Sequence, residues 1–552
     1  MRKLITSGLL LCGALALQAQ TFVKPTMKVK ETSFAVITDK GTYQACEAEF
    51  KAYQEILGDE GLPTFIVYND WRKPEDVKKV IAKLYKKNNL EGVVFVGNVP
   101  IAMIRKAQHM TSAFKMDESK YPWRDSSVPS DRFYDDFDLQ FDYLKQDSAE
   151  TNFFYYNLAI ESPQKIQCDI YSARIKAIDN GEDPYAQISR YLKKAIAEHK
   201  SGNKLDQFFS YTGDGSYSNS LVAWTPEVHT IREQMPKVFD REGRARFMRY
   251  NFSDYPKDDV INMLKREDLD LSIFHEHGVP ERMYLSGSAA TQTWNAHMDA
   301  MKYYWRGLAR RYENRPKDFK DMLERMHNKY GLDSTWISGW NDPKVIEEDS
   351  LRNLRTGIIL PEVTQMKPNS RMVIFDACYN GDFREKDYIA GRFIMSEGKC
   401  VVTFANSVNV LQDKMANEML GLLGMGARVG QWAKLTNILE SHITGDPTIR
   451  FKSINEVDCD ALLKAPYNEA QMLELMKSPY ADVQNLALHR LYRNKYAGIS
   501  DLLRKTYETS PYMMTRFTSL ALLEKLNDKN FQEVLLLSIN DSYEFIRRTS
   551  IR

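Results

Sequence analysis

The sequence has no CxxC pair, no long apolar run beyond its first twenty residues, and no excess of charge of either sign. Its 552 residues carry 75 Lys and Arg against 74 Asp and Glu, a net charge of +1. That balance lacks the basic footprint of a nucleic-acid binder, so nucleic acid is not an expected partner. Cysteine is scarce, six in all, and none has the paired spacing of a structural zinc site. The missing apolar runs leave no candidate membrane span after the N-terminus. What remains is ordinary globular composition, 43% hydrophobic and 27% charged, in a chain long enough for two or three domains with real cores.

The first 19 residues read as a secretion signal. Met1-Arg2-Lys3 supplies a positive end, Leu4 to Leu17 an apolar body, and "LQAQ" a small-residue exit near Ala19. The body is too short to anchor in a bilayer. Cys12 raises the alternative of a lipoprotein, but Leu11 stands before it where a small residue is expected. Cleavage near Ala19 and export to the periplasm or beyond is the expectation. Removal of the signal leaves Cys46, Cys168, Cys378, Cys400 and Cys459, an odd and scattered set that implies at least one free thiol.

Strand and helix patterns then alternate. "SFAVITD", "PTFIVYND" and "LEGVVFVGNVP" read as apolar strands separated by amphipathic helices, an order that predicts a parallel sheet covered on both faces. Residues 101–165 are less regular. Alternation returns with "CDIYSARIKA", "QFFSYTGDG", "RFMRYNF" and "LDLSIFHEHGVP", with a helix expected from near Pro226. Residues 286–365, helical in period, read as an insertion. "RMVIFDACYNGDF" and "GKCVVTFANS" are strands, and "KMANEMLGLLGMG" is expected to be helical. The expected organisation is a 30–250 α/β subdomain, a 251–455 α/β subdomain containing the insertion, and a 467–552 helical segment. In the last, Tyr480, Tyr512 and Tyr543 recur about every thirty residues, the period of stacked HEAT-like hairpins. Its surface is either a partner-binding face or a packing appendage.

Two strands share one grammar: an apolar run, a polar residue, then a Gly turn. One ends at Cys378, the other at His277-Gly278. In a parallel sheet both reach the carboxyl edge, where ligands and chemistry gather. A thiol becomes a nucleophile only with a proton acceptor beside it, and imidazole suits proton exchange near neutrality. Gly278 admits close backbone approach, and the N–H groups of Gly278 and Cys378 are candidate oxyanion donors. Against this stands a core cysteine and a turn histidine with no partner. His275 is the rival base, and "HEH" raises a metal-dependent hydrolase using His275 and His277, although no third ligand follows at metal-site spacing.

These residues carry a resemblance. "HG" after one strand and "AC" after the next look like the dyad of caspase-like cysteine peptidases, and "FDACYNGDF" is most similar to the A-C-x-N-G-x-F segment of the gingipain family. "VVFVGNVP", "SDRFYDDFD", "DIYSARI" and "GDPTIRF" resemble further family segments in family order over residues 33 to 451. Ala173 stands where the family pattern has Gly. The resemblance implies a caspase-like three-layer sandwich with a mostly parallel sheet, in an exported cysteine endopeptidase. Cys378 would be its nucleophile, His277 its general base and acid, and Asp214, in the Gly-rich turn "SYTGDGS", the acid that orients the imidazole. The specificity acid of basic-residue-cleaving members has no counterpart in "LVAWTPEVHTIREQ"; Glu227 lies nearby, and Trp224 would favour an apolar pocket. The 286–365 insertion would form a lid or wall of the cleft. No cofactor is required, with structural calcium implied only by family analogy. Protein or peptide is the implied substrate. The rival reading is a gingipain-like unit retained as an inactive binding scaffold, with a protein partner at the helical repeats.

Overall fold

The computed structural model describes residues 20–215, 221–253, 255–286, 293–411, 414 and 416–551. The predicted signal segment, Cys12 included, lies outside the described residues. The first strands are β1 (Thr21–Val23), β2 (Ser33–Asp39), β3 (Thr64–Asn69) and β4 (Leu90–Val96). Next come β5 (Ile101–Arg105), β6 (Val128–Pro129), β7 (Phe141–Gln146), β8 (Phe153–Leu158) and β9 (Tyr171–Ile175). The later part contributes β10 (Phe208–Thr212), β11 (Ala245–Arg249), β12 (Leu271–His275), β13 (His277–Val279), β14 (Arg282–Tyr284) and β15 (Gly357–Ile359). It ends with β16 (Met372–Asp376), β17 (Val402–Asn406) and β18 (Ser441–Gly445).

Eleven of these form one sheet in the order β1-β3-β2-β4-β9-β18-β17-β16-β12-β10-β11. The expected parallel sheet is present with one qualification. β2, β3, β4, β9 and β18 run in one sense, and β17, β16, β12, β10 and β11 in the other; β18 meets β17 antiparallel. The sheet also moves the domain boundary. A division at residue 250 would detach β10 and β11 from β12, whereas both lie on the side that carries β12 and β16. Layers cover both faces, as period-two alternation requires: Phe34 and Val36 of β2 join one apolar cluster, with helix residues Phe50, Tyr53 and Leu57, while Ala35 and Ile37 join another with Val77, Val80 and Ile81.

Four expectations change. Residues 101–165 contain a second sheet, β6-β5-β8-β7, whose short strands and exposed β7 edge conceal a simple apolar run. The helix expected near Pro226 spans Leu221–Gln234, with Pro226 inside it. "KMANEMLGLLGMG" is helical only over Gly421–Gly424, because Met419 takes a left-handed φ of 57° and three glycines follow in six residues, each costing helix about 1 kcal/mol. The insertion has helices Trp294–Tyr312, Pro316–Tyr330 and an unanticipated Pro343–Arg355. Trp305, Ala309, Met322, Met326 and Ile337 give it a small core of its own.

The C-terminal helices show why the tyrosine period exists. The backbone N–H of Tyr480 donates to Ser478 Oγ and that of Tyr512 to Ser510 Oγ, each at 3.2 Å, and that of Tyr543 to Asp541 Oδ1 at 2.8 Å. A side-chain turn thus starts each unit. This segment packs on the body: Glu233, near the end of helix Leu221–Gln234, accepts from the N–H groups of Met513 and Met514 at 3.0 and 2.6 Å, satisfying the start of helix Met513–Leu526. Asp482 accepts from the Gly421 N–H at 2.7 Å. Helix Leu221–Gln234 is therefore backed by the C-terminal segment.

Asp446, of "GDPTIRF", lies at the edge opposite to Cys378, just past β18. It accepts from Tyr53 Oη at 2.6 Å and pairs with His199 Nε2 at 2.9 Å, while Glu60 holds Nδ1 at 2.7 Å. Burial by itself would depress the His199 pKa, but Asp446 and Glu60 outweigh it and push the imidazole up to about 9. A pKa raised on folding gives stability that is complete below the unfolded value near 6.5 and is lost as pH rises through 9. Urea midpoints are expected to fall between pH 7 and pH 9.5, and His199→Gln to flatten that limb; an unchanged limb in the variant would remove His199 as its source.

Candidate functional site

β12 and β16 are neighbours in parallel register, with His275 opposite Asp376. Two residues further along each chain stand His277 and Cys378. The strand does not run straight to His277: it breaks at Glu276, and His277 begins β13, which pairs with β14 in a three-stranded sheet with β15. The insertion emerges from the ends of β14 and β15, so its stem is joined to the histidine through the His277–Tyr284 pair.

The two backbones touch. A Cβ on Gly278 would lie 2.5 Å from the Cys378 carbonyl oxygen and 2.7 Å from the Asn380 amide atoms. The glycine is therefore required by the approach of the Cys378–Asn380 turn, where substrate approach was expected. Asn380 Nδ2 fastens this contact by donating to Val279 O at 2.8 Å and Arg282 O at 3.2 Å. Next to the thiol, Tyr379 has φ 57°, a left-handed conformation costly for an aromatic residue. It is held there by its N–H to Val408 O at 3.1 Å and its hydroxyl to Asn409 Oδ1 at 2.9 Å. Gly278→Ala is expected to cost about 1–3 kcal/mol through overpacking and to slow thiol alkylation; a thermal midpoint and labelling rate equal to wild type would refute the close approach.

The side chains lean apart. The thiol sits by the loop after β17, where the Val410 N–H donates to Sγ at 3.3 Å and Val410 O lies 3.6 Å away. The exposed His277 ring sits by the loop after β10: a Cβ on Gly215 would come within 2.7 Å of Nε2. Gly215 has φ 79°. The backbone of the Asp214-Gly215 turn thus abuts the imidazole. Among the described residues, no hydrogen bond joins the ring to the thiol. Burial pushes the Cys378 pKa up, opposed by the Val410 N–H and reinforced by the Asp376 carboxylate.

The other nominated residues fall elsewhere. His275 is fully buried, with Nδ1 2.8 Å from Asp376 Oδ2 and Nε2 2.6 Å from Glu227 Oε1. Both ring nitrogens are engaged, which leaves no lone pair for a metal and no access to a substrate proton. That geometry counts against His275 as base and as ligand. Glu227 is buried, 5% exposed, and its carboxylate serves His275 and Ser210 Oγ; it does not face a specificity pocket. Trp224 is on the same helix, and its side chain lies outside the described residues. Among the described residues no group of three or more His, Cys, Asp or Glu side chains is arranged to hold a metal ion, so the calcium expectation finds no fitting ligand set there. Cys46, Cys168, Cys400 and Cys459 are free and buried, and Cys378 is free and half-buried. The sequence missed the Glu227–His275 pair, whose members are 48 residues apart, and the Val410 contact, because neither leaves a local pattern. No protein-family model and no curated protein matches the chain. No helix among the described residues is long and apolar enough to cross a membrane.

Proposed function

We propose that the chain is a cysteine endopeptidase of caspase-like, gingipain-like design, with Cys378 as nucleophile and His277 as general base and acid. The observation that supports this most is the close approach of Gly278, next to His277, to the Cys378 carbonyl, just past the point where the strand register pairs His275 with Asp376. A substrate carbonyl bound over that edge would have the sulfur on one side and the imidazole on the other. The thiol proton passes to His277 as Sγ bonds to the carbonyl carbon. The backbone N–H groups of Gly278 and Cys378 are the candidate donors to the oxyanion. The C–N bond then breaks, with His277 returning the proton to the departing amine. Water attacks the thioester, loses its proton to His277, and the thiol is regenerated. In the resting enzyme the ring need not touch the sulfur, because catalytic contacts tighten when substrate binds. Asp214, in the turn whose Gly215 lies against the ring, is the candidate to orient it. The insertion, rooted on the strand pair of His277, forms a wall of the cleft, and the C-terminal HEAT-like helices brace the helix behind it.

One observation favours the rival scaffold reading: among the described residues no hydrogen bond joins Cys378 to His277. A panel of peptidyl acyloxymethyl ketones varied at the P1 side chain separates the two. Under the peptidase reading at least one member labels wild type at Cys378 and none labels Cys378→Ala. Silence across the panel, with a folded protein, supports the scaffold.

A further inference from the structure

Behind the site three buried side chains form a row. His275 closes β12 and Asp376 closes β16, and the two are register partners. Glu227 reaches them from helix Leu221–Gln234. The imidazole is pinned at both nitrogens, at 2.8 Å by Asp376 and 2.6 Å by Glu227, and Ser210 of β10 donates to the same Glu227 oxygen at 3.1 Å. Exposure is 0% for His275 and 5% for each carboxylate, so no substrate reaches them. We propose that His275 is a positioning residue of the Cys378/His277 pair, locking through Glu227 and Asp376 the two strand ends and the helix behind them into one register. The inference rests on the peptidase reading of that pair.

Three elements converge on one planar ring, and each catalytic side chain lies two residues beyond a member of the row. A rotation of either strand end that moved His277 or Cys378 would have to break a bond to His275. The row also sets charge. Burial would lower the His275 pKa, but Glu227 and Asp376 prevail and push it up to about 10, so the ring is a cation near neutrality. Burial is the larger cause of the raised Cys378 pKa, and the Asp376 carboxylate adds to it; His275 is the group hydrogen-bonded to that carboxylate. The other titratable groups facing the row are Glu276, whose carboxyl burial raises well above the usual range, and Tyr543 of the C-terminal helices, which faces Glu227. The helix that carries Glu227 also carries Glu233, which the C-terminal helices engage, so the row is braced from behind.

The test uses full-length protein and the pH dependence of Cys378 alkylation by iodoacetamide. His275→Gln is expected to raise the midpoint by roughly one pH unit or more, because Asp376 loses its cation. His275→Gln with Asp376→Asn is expected to return it to the wild-type value or below. Asp376→Asn alone, nearly isosteric and able to accept from Nδ1, is expected to lower it, and it keeps the test available if His275→Gln does not fold. With a peptide substrate, the His275→Gln loss is expected in kcat rather than KM. A lower thermal midpoint in His275→Gln with an unmoved alkylation midpoint would overturn the proposal, as would an unmoved midpoint in Asp376→Asn. Alkylation requires no turnover, so a chain inactive on every peptide would remove the peptidase reading while leaving this result interpretable.

Discussion

Cys378→Ala is expected to lower kcat on any cleaved peptide by roughly four to six orders of magnitude, the loss seen when a covalent nucleophile is removed. The fold gives this substitution a clean readout. Cys46, Cys168, Cys400 and Cys459 are buried, and burial raises the pKa of each. A thiol reagent applied to native protein is therefore expected to count close to one reactive cysteine in wild type and none in the variant, while both titrate fully once unfolded. Alanine removes a side chain whose hydrogen-bond partner is the backbone of Val410, so the thermal midpoint is expected to change little. A variant that keeps wild-type turnover would end the peptidase reading.

The largest expected stability effect lies away from the thiol. Arg174, on β9, is buried and reaches Asp131 with Nε at 3.0 and 2.8 Å and Nη2 at 2.6 Å. Its remaining donors go to Val99 O at 3.1 Å and Pro100 O at 3.0 Å. The guanidinium packs over the rings of Phe95, at 5.1 Å, and Phe383, at 4.8 Å. Asp131→Ala would leave this cation buried with carbonyl partners alone, which costs about 3–5 kcal/mol. The urea midpoint is expected to drop accordingly, and Asp131→Asn, which keeps an acceptor, to lose less. A change under about 1 kcal/mol, within the ordinary range of surface substitutions, would mean that the carbonyls and rings suffice.

That one guanidinium also accounts for much of the motif set. "SDRFYDDFD" supplies Asp131, "DIYSARI" supplies Arg174, the segment after "VVFVG" supplies Val99 and Pro100, and "CYNGDF" supplies Phe383. Four segments with family-like patterns meet at one buried charge, so their joint presence in the sequence is a packing requirement. Strands were legible because apolar runs closed by turn residues survive in the linear chain, and the neighbouring ends that carry His277 and Cys378 were legible because both follow that grammar. The sense of β18 was not, since a strand's direction in the sheet depends on which partner it meets. The break at Glu276 was hidden because His277 keeps the alternation of a strand that in fact ends at His275. Glu227 looked like a pocket acid from its nearness to the Gly-rich turn, yet its helix turns the carboxylate inward onto His275. The helix confined to Gly421–Gly424 was hidden because the apolar spacing of "KMANEMLGLLGMG" has helical period while its glycines and the left-handed Met419 keep most of it from being helix.

The placement of β18 bears on how the molecule reaches its working form. This strand, the last of the body in sequence among the described residues, is inserted between β9 and β17 and joins the two sheet halves. Contacts between positions some 270 residues apart must form before the halves are joined, and such distant pairings are slow to find. Joining the half that bears Cys378 and His277 to the other half therefore waits on a strand that lies near the end of the body in sequence.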